Sequence, residues 1–150
     1  MAVRTIRISG DEVLRKKCLP VGVVDDNIRK LLNDMAETLH STENGAALAG
    51  PQVGILRRLV VIDMGTGIMK LVNPKIIKKE GTQTVIEGCL SIPDVWGKLE
   101  RPSKVTIEAL NENGEKMTLT GTKSLAKCFC HEIDHLDGIL FTDLVTEYID

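Results

Sequence analysis

The stretch CFCHEIDHLDG, residues 128–138, places two histidines, two cysteines and three carboxylates on one short segment. From Ser124 onward Leu125, Cys128, Phe129 and Ile133 recur at helical spacing, which predicts a helix running to about Leu136. On such a helix His131 and His135 are four apart and share a face, with Cβ atoms about 5–6 Å apart, so both imidazoles can converge on one divalent ion. Glu132 completes the pattern H-E-x-x-H, in which the glutamate is a general base. An ion with three protein ligands keeps a fourth position open for chemistry, so the segment raises the question of a third ligand.

Nearby sources fail on geometry. Position 141, where one protease class supplies a third histidine, is Phe141. Glu147 lies near the end of the sequence with little predicted structure to hold it. Cys128 sits about 7–8 Å along the helix axis from the midpoint of the histidines, beyond the reach of its short side chain. Cys130 is rotated about 100° from His131. Both read as core thiols. Cys18 and Cys89 remain. Cys18, in LRKKCLP, reads as packing, whereas Cys89 lies in EGCLSIP, residues 87–93, where Gly88 and Pro93 define a stiff bend that can hold a thiolate over a helix.

Outward from this segment the chain reads as α+β. Residues 25–42 carry Ile28, Leu31, Leu32, Met35 and Leu39 at helical spacing, with Asp25 or Asp26 as N-cap. RRLVVID (57–63) reads as a buried strand, and MKLV (69–72) and KII (75–77) as two strands parted by a turn at Asn73-Pro74. KVTIEAL (104–110) and EKMTLTG (115–121) alternate around NENG, a hairpin signal. The expected architecture is antiparallel sheets packed around a C-terminal helix, with an N-terminal helix, in a single domain over 1–150.

Composition narrows the function. Of 150 residues 43% are apolar and 27% charged, ordinary for a soluble domain, and aromatics at 3% leave an aliphatic core. A net charge of −2 without a basic block argues against direct nucleic-acid binding. No apolar run reaches the roughly 18 residues of a membrane span, and MAVRTIRISGDEVLRKKC lacks the apolar stretch of a secretory signal. Four cysteines in that setting point to reduced thiols or ligands and to the cytoplasm.

The segments EGCLS and HEIDH, with GAALAGPQ at 45–52, resemble the three motifs of the peptide deformylases, and GDEVLRKKCLPV is similar to that family's opening, with Glu12 where proline is common. The resemblance runs from about residue 6 to 145. It implies that Cys89, His131 and His135 bind the metal, that Glu132 is the acid/base, and that Gln52 and the backbone N–H of Leu90 face the developing oxyanion. It implies Fe(II) as the ion, although the donor set also suits Zn(II), Ni(II) or Co(II). The substrate would be the N-formyl-methionyl end of nascent peptides, against Gly45, Ala46, Ala47 and Gly88, with Cys128 lining a methionine-sized pocket. A transient ribosome contact is compatible with this role. Ala47 and Gly50 depart from the family pattern, as does Cys130, where glutamine is common. Asp134, Asp137 and Glu87 are candidates to hold a ligand histidine by its outer nitrogen. Trp96 reads by default as core or cleft-wall packing, with a place bordering the substrate as the alternative. Two rivals are a zinc endopeptidase with another third ligand and a non-hydrolysing binder of formylated N-termini.

Overall fold

The computed structural model describes residues 2–43 and 45–149. Helix α1 (Asp26–His40) is capped by Asp25, whose carboxylate accepts the N–H of Ile28. Its stripe of Ile28, Leu32, Met35 and Leu39 is buried. Helix α2 (Ser124–Leu136) buries Ala126, Phe129, Cys130, Ile133 and Leu136.

Between the helices lies a five-stranded antiparallel sheet in the order β1-β2-β3-β6-β7, comprising β1 (Ala47–Ala49), β2 (Leu59–Asp63), β3 (Ile68–Glu80), β6 (Lys104–Leu110) and β7 (Lys116–Thr122). The continuous apolar run of β2 follows from this sandwiching, since successive side chains point to opposite faces. Leu59 and Val61 join the cluster with α1, while Val60 and Ile62 join the cluster with α2, Val105 and Ile107. At β7 the helix approaches closely, because a Cβ on Gly121 would lie 2.7 Å from Leu125 Cγ and 2.9 Å from Phe129 Cε2.

A second antiparallel sheet, β4-β5-β8, contains β4 (Gln83–Cys89), β5 (Ile92–Arg101) and β8 (Glu147–Ile149). Leu14, Ile92, Leu99, Leu140 and Phe141 form its core.

The α+β class with antiparallel sheets and two helices agrees with the sequence reading, but several boundaries do not. The strands expected at 69–72 and 75–77 are one strand, Ile68–Glu80, with a register shift between Val72 and Lys75. Asn73 does adopt φ 53°, yet its side chain exchanges two hydrogen bonds of 2.8 Å with the backbone of Val21, fixing a bulge instead of a chain reversal. The strand expected at 57–63 begins at Leu59, and the helix expected to reach 42 ends at His40. Glu147, expected to lack supporting structure, lies on β8 opposite Lys98. Among the described residues, no helix is long and apolar enough to cross a membrane.

Candidate metal centre and catalytic cleft

EGCLSIP forms the tip of a hairpin. Cys89 is the last residue of β4, paired with Ile92 across the two-residue loop Leu90-Ser91, and the register breaks at Gly88, between the Glu87–Gly97 and Cys89–Ile92 pairs. That tip meets the inner face of α2. Cys89 Sγ lies 3.3 Å from His135 Nε2, and the ligand atoms of Cys89, His131 and His135 all lie within 4.8 Å of one another. Bond lengths of about 2.3 Å to sulfur and 2.0–2.1 Å to nitrogen put tetrahedral donors about 3.3–3.6 Å apart, so the Cys89–His135 separation matches a first-row divalent ion and the three donors are of the type and proximity to close on one.

Each group around the centre is held. His131 Nδ1 is 2.6 Å from Glu87 Oε1, leaving Nε2 as its ligand atom. Arg101 grips the same carboxylate through Nε at 2.7 Å and Nη2 at 3.0 Å, and reaches Asp134 through Nη1 at 2.7 Å. Glu87 is therefore the group that holds a histidine's outer nitrogen. Asp134 is engaged by Arg101, and Asp137 by Arg58 at 2.9 Å. Gln52 is buried, its Oε1 accepting the Ala49 N–H at 2.9 Å. Its Nε2 donates to Ser91 Oγ at 3.1 Å and lies 3.5 Å from Cys89 Sγ.

Burial sets the ionisation. It lifts the Glu132 carboxyl to about 7 despite the opposing charge of His131. Burial also works against a proton on His131, but the charge of Glu132, the Cys89 sulfur and Glu87 outweigh it and raise that histidine to about 10. His135 is pressed down to about 3, by burial and then by the charge of His131. Glu132 Oε1 and His135 Nδ1 are buried without a hydrogen-bond partner among the described residues. An acceptor left bare beside three converging donors is what a site completed by another molecule requires.

The centre opens into a cleft of about 640 Å³. Gly45, Ala46 and Ala47 line one wall, Gly88 and Leu90 another, and Cys128 lies within it. The Asp63 N–H bonds Ala46 O, and Leu48 pairs with Val61. In an antiparallel ladder the intervening Ala47 turns its backbone groups away from β2, whereas the Gly45 N–H donates to Thr42 Oγ1 at 3.2 Å.

A family model described as polypeptide deformylase matches residues 3–148. The chain is 74% identical to peptide deformylase 2 of Clostridium acetobutylicum over 99% of both proteins, and 59% identical to the peptide deformylase of Acetivibrio thermocellus over 100% of this chain and 88% of that one. The chain belongs to the polypeptide deformylase family. The crystal structure of peptide deformylase from Thermotoga maritima superposes with a TM-score of 0.93 at 37% identity, over 97% of this chain and 99% of that one. A Synechococcus elongatus peptide deformylase solved in complex with actinonin gives 0.92 at 41% identity, over 96% of this chain and 79% of that one.

The departures from the family motif resolve physically in this chain. Ala47 is on β1 and is not among the positive-φ residues, so its methyl costs no backbone strain. Gly50 is required here, since a Cβ would lie 2.5 Å from Ile55 O and 2.7 Å from Arg57 O. Cys130, on α2, is 4% exposed in the core between that helix and the five-stranded sheet, leaving no solvent-facing polar role for that position.

Sequence reading missed Arg101 and Ser91. Arg101 stands beyond Trp96 on β5, and nothing local distinguishes it from the surface cations nearby. Its deletion leaves the Glu87 carboxylate buried and partly unpaired, so Arg101→Leu is expected to lower stability by about 3–5 kcal/mol in urea unfolding. Despite burial, the His131 and Arg101 bonds hold Glu87 down to about 2 from 4.5. A depressed carboxyl stabilises the fold fully above its unfolded value and loses that contribution as pH falls through its folded value. Acid unfolding of the wild type should therefore show up to about 3 kcal/mol lost between pH 4.5 and 2, a loss absent in Glu87→Gln.

Proposed function

We propose that residues 1–150 act as one catalytic domain in which Cys89, His131 and His135 hold a divalent ion and Glu132 moves the proton. The reaction is removal of the N-formyl group from nascent peptides, with release of formate. When bound, the ion supplies Lewis acidity that brings the pKa of water down toward neutrality. Fe(II) is the ion inferred, with Zn(II), Ni(II) and Co(II) compatible with the same donors.

The chain's own groups then divide the work. Glu132, lifted to about 7, is suited to accept a proton from the attacking water and deliver it to the departing amine. In this reading the Gln52 side-chain amide and the Leu90 N–H donate to the formyl oxygen as it gains charge. Because Ala49 fixes the Gln52 carbonyl, the amide donor needs no reorientation during the reaction. The backbone of Gly45 and Ala47 receives the peptide as an added strand, with Ala46 and Gly88 beside it. Cys128, 8% exposed, contributes to the wall against the methionine side chain. Cys128→Trp should raise KM for formyl-Met-Ala severalfold with little change in kcat, measured by formate release. The cytoplasm is the proposed compartment. A transient ribosome contact is tested by co-sedimentation.

The observation that carries this reading is the convergence of three ligand atoms from two separate elements next to a buried carboxyl whose Oε1 has no hydrogen-bond partner among the described residues. The deciding experiment is anaerobic purification, elemental analysis and formate release from formyl-Met-Ala. One equivalent of metal with turnover supports the reading. Cleavage of internal bonds in an unformylated peptide would instead favour an endopeptidase, and binding without formate release a non-hydrolysing receptor.

A further inference from the structure

Trp96 is the only tryptophan of the chain, and it is not packed away. It is 54% exposed and borders the catalytic cleft. Its ring lies flat over Gly88, since a Cβ there would meet Cζ3 at 2.5 Å, Cε3 at 2.7 Å and Cη2 at 3.0 Å. Ile86 is 51% exposed and also borders the cleft. Ile86 pairs with Lys98, so Trp96, two residues from Lys98, shares its face of the β4–β5 hairpin. The backbone of Trp96 is held by β8 through Ile149. Two large apolar side chains thus form a shelf along the cleft, with the Trp96 ring over Gly88, the residue before Cys89.

The cleft has room for more than the formyl-methionyl group. Even at the roughly 30 Å³ share of a liquid water for each of its about ten non-hydrogen atoms, that group fills about half of the space. The rest leads to the shelf. One acidic and one basic side chain, Asp94 and Lys127, line this part of the cleft, so the rim selects no charge.

We propose that Trp96 and Ile86 bind the side chain of the third substrate residue, selecting formyl-methionyl peptides with an apolar or aromatic residue there. This rests on the deformylase reading of the cleft. In an extended peptide, side chains alternate. Methionine facing the Cys128 wall therefore puts the third residue, about 6.6 Å further along, on the same side.

The test compares formate release from formyl-Met-Ala-Leu and formyl-Met-Ala-Ser. The wild-type metalloenzyme is expected to favour the leucine peptide about tenfold in kcat/KM. Trp96→Ala should bring that ratio close to one, with the loss falling on KM, and Trp96→Phe should keep most of it. Because Trp96 is the sole indole, its emission is a second readout, independent of turnover. In the metal-loaded Glu132→Ala enzyme, formyl-Met-Ala-Leu should shift emission to shorter wavelength as water leaves the ring, whereas formyl-Met-Ala-Ser should not. Equal kcat/KM for the two peptides in the wild type, a ratio unchanged in Trp96→Ala, or identical emission with both peptides overturns the proposal while leaving deformylation intact. Formate released from neither peptide overturns the underlying reading as well.

Discussion

Glu132→Ala is expected to lower kcat on formyl-Met-Ala by about 10²–10⁴-fold while elemental analysis still finds one metal per chain. The two readouts separate because Glu132 is not among the three converging donors. Its side chain is buried, 5% exposed, with Oε1 unpartnered. Removing it deletes a desolvated carboxyl whose polar contact among the described residues is with His131 Nε2 at 3.8 Å, so stability should change little. A group held near 7 by burial exchanges protons readily at neutral pH. Glu132→Gln keeps the shape but cannot take the proton, and it should be as inactive as the alanine variant. Substantial turnover in either variant would remove Glu132 from the proton transfer.

Cys89→Ala should lose the metal and, with it, activity, while the chain still folds. Loss of an outer hydrogen-bond partner alone typically costs 10–100-fold in metal affinity, and loss of one of three ligands should exceed that. The thiol is only partly buried at the edge of the second sheet's core, so truncating it leaves no large cavity. Metal content after dialysis checks the first half and thermal unfolding the second. A fully metal-loaded, active Cys89→Ala protein would rule out the proposed centre. Acid should imitate the mutation, because His131 must give up a proton to serve as a ligand. The protein groups alone hold that proton up to about pH 10, so metal affinity should fall steadily as pH drops.

The local chemistry of HEIDH needed only spacing. Two imidazoles four apart share a helix face wherever the helix is placed, and the apolar stripes of α1 and α2 follow from the same period. The alternation of β6 and β7 around Asn111–Gly114 was legible for the same reason, because both periods are properties of consecutive residues. The third donor did not follow from spacing; Cys89 emerged from eliminating nearby candidates and from the family resemblance. Cys89 is 46 residues before His135, and only the packing of a hairpin tip against α2 brings Sγ to 3.3 Å. Arg101 was silent in the sequence because a buried cation looks like an exposed one until its partners Glu87 and Asp134 are placed beside it. Asn73-Pro74 misled because a turn signature describes local backbone freedom, whereas the bonds from Asn73 to Val21 are set at long range. The sequence by itself determined which side chains lie on one face of each element. Only the tertiary structure decided which elements meet, because that depends on burying two faces of one sheet at once.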